Sequence, residues 1–104
     1  MVLNKVRKMI IKLSPIRMEG VMTLSKSGDA LTIDGETFDF TALPDGATLP
    51  ADAVGCPRVV QPVERIGGEL IITLSLPITK DASEAACFPA DIANPPDGEV
   101  SLPR

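Results

Sequence analysis

Asp34, Glu36 and Asp39 place three carboxylates within the stretch "LTIDGETFDF", and Cys56 and Cys87 supply the only thiols. Paired carboxylates can divide general acid and base work, and a denser acid cluster could hold Ca²⁺ through six to eight oxygens. Thiols could act as nucleophiles or zinc ligands. Each option needs neighbours that this chain withholds. It contains no histidine, so the usual base near neutral pH is missing, and Ser–His and Cys–His arrangements are excluded. Two cysteines without histidine make a poor zinc set. No glycine-rich phosphate loop precedes a helix, because Gly67-Gly68 sits between two strand-like runs. The sequence therefore nominates no catalytic, cofactor-binding or metal-ligating residue, and the chain is expected not to be an enzyme.

The elements around those carboxylates explain why they do not converge. Asp34-Gly35 is a strong hairpin signal of the type I′ class. With these two residues at the tip, Ile33 faces Glu36, Thr32 faces Thr37, Leu31 faces Phe38, Ala30 faces Asp39 and Asp29 faces Phe40. Opposed residues share a face and faces alternate. Leu31, Ile33, Phe38 and Phe40 then form an apolar face, with Glu36 and Asp29 at its ends. Asp39 points to the other face and Asp34 lies in the turn. A one-residue slip would destroy this separation.

The remaining chain reads as further short strands. "MIIKLS" (9–14) is a strand ended by Pro15, and "VMTLS" (21–25) alternates before the turn "KSGD" (26–29). Residues 41–57 form a long connection, in which "LPDG" fits a type I turn and "PADAV" one helical turn with Pro50 at its first position. A second hairpin, "RVVQPVERI" and "ELIITLSLP", flanks Gly67-Gly68. Its second arm sets Leu70, Ile72, Leu74 and Leu76 on one face. Pro62 interrupts the first arm, which must lie at a sheet edge or carry a bulge, and its register stays open. Residues 79–88 are the best helix candidate, capped by Asp81 or Ser83.

With ten prolines and eight glycines in 104 residues, long helices are not expected. The fold class is mainly all-β: a small antiparallel sandwich or partly open barrel of five to seven short strands and at most one short helix. The core is aliphatic, with Phe38, Phe40 and Phe88 as its only large rings. Residues 9–90 form a single β-domain. Residues 1–8 read as an N-terminal extension, with Met9 as an alternative start. Residues 91–104 are Pro-rich and partly extended, with an edge strand near Val100 and a mobile end. The cytoplasm expected for this chain keeps Cys56 and Cys87 as free thiols, although their spacing also permits a bridge.

Charge narrows the partners. The net charge is −4, and residues 1–17 carry Lys5, Arg7, Lys8, Lys12 and Arg17 with no acid. The acidic remainder disfavours nucleic acid, and the basic segment has no aromatic residue for base stacking. It reads as a solvated lead-in that pairs with acidic surface. No apolar run suggests a membrane span, and no small-molecule substrate is implied. What remains is protein contact, through the Pro62 edge, the 41–57 loop or the Pro-rich tail.

Taken together, "MIIKLSP", "LTIDGETFDF", "LPDGATLPADAV" and "VERIGGELIITLSLP" resemble a family of small uncharacterised proteins of tailed bacteriophages and prophages, often encoded near tail genes. The resemblance covers roughly residues 9–77. It implies a phage setting in the cytoplasm of a bacterial host, or incorporation in the virion, with other phage proteins as partners and self-association open. The expected role is a minor tail component or tail-assembly accessory. The alternative is a soluble regulatory or inhibitory module that binds a host protein.

Overall fold

In the computed structural model, which describes residues 8–103, the apolar runs pair into two sheets. Strands β1 (Lys8–Arg17), β5 (Thr48–Leu49), β6 (Val63–Ile66), β7 (Glu69–Ile78) and β8 (Ile92–Ala93) form one, in the order β5-β6-β7-β1-β8. Strands β2 (Leu24–Ser27), β3 (Ala30–Ile33), β4 (Glu36–Asp39) and β9 (Gly98–Glu99) form the other, in the order β4-β3-β2-β9. A single buried cluster draws on both, joining Leu24, Leu31 and Ile33 to Ile11, Val63 and Ile72. The chain is thus a small, mainly β fold built as two sheets around one aliphatic core.

The β3–β4 hairpin has the register its sequence requires, Leu31 opposite Phe38 and Ile33 opposite Glu36. Both tip residues take positive φ, 52° at Asp34 and 85° at Gly35, as a type I′ turn demands. Leu31, Ile33 and Phe40 are buried, while Phe38 at the sheet edge is half-buried. The β6–β7 hairpin closes in the same way over Gly67-Gly68, setting Ile66 opposite Glu69. Its first arm resolves the question that Pro62 raised. Glu64 pairs with Ile71, but Val59 pairs with Leu74, so two extra residues bulge out around Gln61-Pro62. The arm is no sheet edge at β6, because β5 covers its far side.

The strands number nine among the described residues rather than five to seven, and four further expectations need correction. The first is direction: the longest pairing, β1 with β7, is parallel over ten residues. Alternation could not reveal this, since a period of two reads the same either way. The second is Pro15, which does not end β1. Met9 donates its N–H to the Asn94 side-chain Oδ1 and accepts the Asn94 N–H at its carbonyl, both on the β8 side, whereas the Met18 N–H donates to the Ile78 carbonyl on the β7 side. Pro15 shares the parity of Met9, so its missing N–H points away from β7, beyond the reach of two-residue β8. Pro77 in β7 likewise points away from β1, because Ser75 and Thr73 bond toward residues 58–60.

The third correction is helix number. Two single-turn helices occur among the described residues, α1 (Ala51–Val54) and α2 (Glu84–Cys87), rather than at most one. Pro50 sits at the cap position of α1, one residue before its expected place. Ser83 caps α2, its side chain accepting the Ala86 N–H. The fourth is Phe88, which is 80% exposed. α2 is too short to bury two faces, and it turns Ala86 inward.

The segment after Pro89 contributes to both sheets. β8 pairs with β1, β9 pairs with β2, and the buried Val100 donates its N–H to the Leu24 carbonyl. Asp97 fastens the turn into β9 by accepting from Lys26 Nζ at 2.9 Å and from the Gly28 N–H at 3.0 Å. Of the basic N-terminal segment, Lys8, Lys12 and Arg17 belong to β1. Lys5, Arg7 and nearly all of the expected 1–8 extension lie outside the described residues.

Candidate functional site

The three carboxylates of the first hairpin go to separate tasks. Asp34 accepts the Thr23 N–H at 3.0 Å and Arg58 Nε at 2.8 Å. Burial opposes its charge, but the Arg58 side chain and the Thr23 N–H outweigh that, so its pKa lies below the ordinary value. Asp39 accepts from the hydroxyl and the N–H of Thr41, which lower its pKa in the same sense. Glu36 is exposed beside the tip. No two of these groups share a bond or a pocket. Cys56 is a buried free thiol, and Cys87 is a free, half-buried thiol whose Sγ lies 3.9 Å from the Ala82 carbonyl.

A feature that sequence reasoning missed is a pair of Asp–Arg ties bracketing β3. At its far end Asp34 holds Arg58; at its near end buried Asp29 accepts Arg65 Nη2 at 3.2 Å. Arg65 also donates to the carbonyls of Phe40 and Leu43, at 2.8 and 2.7 Å. Both arginines come from the arm leading into β7, so each tie spans the two sheets. Arg65 sits on the inward face of β6, where period-two patterning expects an apolar residue. That mismatch, with Asp29 at the end of the first hairpin's apolar face, is the signal that could have found it.

The segments that the sequence offered as contact surfaces also carry parts of the fold, while Pro62 and much of the 41–57 connection stay exposed. The 41–57 connection carries β5, packs Leu43, Leu49 and Val54 on the core, and caps the second hairpin through Asp45, which accepts the Gly68 N–H at 2.9 Å. Pro62 sits in the bulge. The Pro-rich segment supplies strands to both sheets.

A different surface is open. At the end of the sandwich where β1 and β7 finish, a cleft of about 170 Å³ runs between the β1–β2 connection, the last residues of β7, α2 and Leu102-Pro103. Its walls are mostly carbon, from Val21, Met22, Leu76, Ile78, Ala82 and Leu102. Asp81 and Thr79 supply polar atoms to its lining. Val21 is 65% exposed, and exposed Ile16 and Met18 lie beside it through the pairing of Ile16 with Pro77 and the bond from Met18 to Ile78. A dry apolar space of ~150 Å³ is enough to hold a benzene ring, so this cleft suits one branched aliphatic or aromatic side chain. It offers burial and shape, with no charge relay and no array of donors.

Comparison with protein-family models, with curated proteins and with solved structures returns no match. Among the described residues, no helix is long and apolar enough to cross a membrane.

Proposed function

We propose that this chain is a non-enzymatic phage or prophage protein that acts by protein–protein contact, as a minor tail component or tail-assembly accessory, in the host cytoplasm or in the virion. The observation that carries the contact reading is the carbon-walled cleft with exposed Val21 at its lip. Anchoring one apolar side chain in such a pocket is how small interfaces concentrate their energy. The phage setting is supported by the likeness of the hairpin blocks between residues 9 and 77. The reading assigns no catalytic role to the carboxylates, which are supported instead as turn and inter-sheet fasteners.

Mass spectrometry of purified particles, together with capture of phage proteins by wild type and by Val21→Asp, tests this. The expected result is recovery of a phage structural or assembly protein by wild type and its loss with Val21→Asp. Presence in particles identifies a component, and absence with normal intracellular levels identifies an accessory. Capture of a host protein alone, by both forms, overturns the reading in favour of a regulatory or inhibitory module.

A further inference from the structure

The outer face of the five-stranded sheet carries a pattern that the cleft does not explain. An antiparallel sheet with one face in solvent alternates apolar-in and polar-out. Here the outward positions of the two central strands include Ile10 and Ile71, adjacent in register, and further along Ile16, adjacent to Pro77. Ile66 on β6 is 56% exposed on the same face and Ile16 49%. At the start of both strands, Lys8 lies beside Glu69. Positive and negative positions thus stand on neighbouring strands at the same height, with one apolar pair next to them, and the polar pairs Lys12–Thr73 and Ser14–Ser75 separate it from Ile16 and Pro77.

This arrangement is self-complementary under one operation. A two-fold axis running along the strands, between β1 and β7 and just above the face, lays β1 of one copy over β7 of another. Because the two strands are parallel and in register, heights match. Lys8 meets the second copy's Glu69, Ile10 meets its Ile71, and Ile16 meets its Pro77, each contact occurring twice. Isologous interfaces require this reciprocity, and stacked sheets pack at about 10 Å in such an aligned sense. We propose that the chain associates with a second copy of itself through this face, as a two-fold dimer. The proposal does not depend on the phage setting, and it meets the cleft only at Ile16 and Pro77, where that end of the face borders it.

The face sets the strength. Two ten-residue strands and the four-residue β6, at ~3.3 Å per residue and ~4.8 Å per strand, give a projected patch of roughly 380 Å² per copy. The total over both copies, about 760 Å², lies below the range of stable specific interfaces, so dimerisation is weak and belongs at the high-micromolar end.

Light scattering and sedimentation of the full chain, from micromolar to sub-millimolar concentration, test this. The mass should rise from the 11.0-kDa chain toward twice that value. Ile71→Asp should weaken the dimer by ~10-fold or more, the scale of an interface anchor. Lys8→Glu and Glu69→Lys, both surface changes, should each weaken it by ~10-fold, because like charges then meet at both contacts. Mixing these two variants should restore dimers of mixed composition, since opposite charges meet again at both contacts. Circular dichroism checks that each variant folds. A wild-type chain that stays monomeric, forms a trimer or larger ring, or dimerises with no response to the mixed pair overturns the proposal.

Discussion

Arg65→Met should be among the most damaging single substitutions in this chain, although it replaces a charged residue by an apolar one of similar length. Arg65 and Asp29 are each 5% exposed. Removing the guanidinium leaves the Asp29 carboxylate buried without Arg65 and takes a donor from the carbonyls of Phe40 and Leu43. Breaking a buried pair from one side costs about 3–5 kcal/mol. Against a whole-domain stability of roughly 5–15 kcal/mol, that is a large share. With a urea slope of ~1–2 kcal/mol per molar, the midpoint falls by at least ~1.5 M. Lys12→Met is the matched control. The Lys12–Asp91 pair is 3.9 Å apart and about half exposed on both sides, so its loss should cost under ~0.5 kcal/mol. Adding Asp29→Leu to Arg65→Met should recover part of the loss, because a buried pair replaced as a unit is often near neutral. Recovery stays incomplete, since the two carbonyls keep no donor from residue 65. Urea unfolding of the wild type and the three variants at one pH decides the matter. An Arg65→Met loss below ~1 kcal/mol, matching Lys12→Met, would refute the view that this tie holds the sheets together.

Other outcomes follow from the same structure. Leu31→Ala, at a fully buried position, should cost about 2–5 kcal/mol in thermal or urea unfolding, whereas Phe88→Ser, at 80% exposure, should stay within ~0.5 kcal/mol. Asp34 has a folded pKa below its ordinary 3.8, so its contribution is complete above that value and is lost as pH falls through the lower folded value. Acid unfolding of Asp34→Asn should therefore show a shallower loss below pH 3.8 than wild type. Gly35→Val should destabilise by ~1 kcal/mol or more at φ 85°, read as a lower melting temperature; an unchanged value would count against the type I′ tip.

The local parts of the fold were legible because local chemistry decides them. Asp34-Gly35 permits one tip, and that tip with Leu31, Ile33 and Phe40 permits one register. Gly67-Gly68 does the same for the second hairpin. What stayed hidden depends on partners distant in sequence. Nothing near Met9 or Ile11 states that Leu70 and Ile72 run alongside in the same direction. Pro15 looks like a terminator until the empty side of its strand is known. Gly98-Glu99 gains strand structure only because Ser25 and Lys26 stand opposite. The cleft was illegible for the same reason: Val21, Ile78, Ala82 and Leu102 come from four separate stretches, and none carries a motif.

The parallel pairing of β1 with β7 also has a consequence for how the chain is made. Every partner in that ten-residue ladder lies 61 positions away, as Lys8 and Glu69 show. Loop-closure entropy must be met before such contacts reward it, which slows folding. During synthesis β2, β3 and β4 can close their short turns as soon as they emerge. β1, the first described strand, has no central neighbour until residue 78 has left the ribosome. Through that interval Met9, Ile11 and Leu13 stand exposed on an unpaired strand, the species most open to wrong pairing. Three lysines and arginines in β1, at Lys8, Lys12 and Arg17, then act as guards: they keep the waiting strand apart from its own kind until β7 arrives.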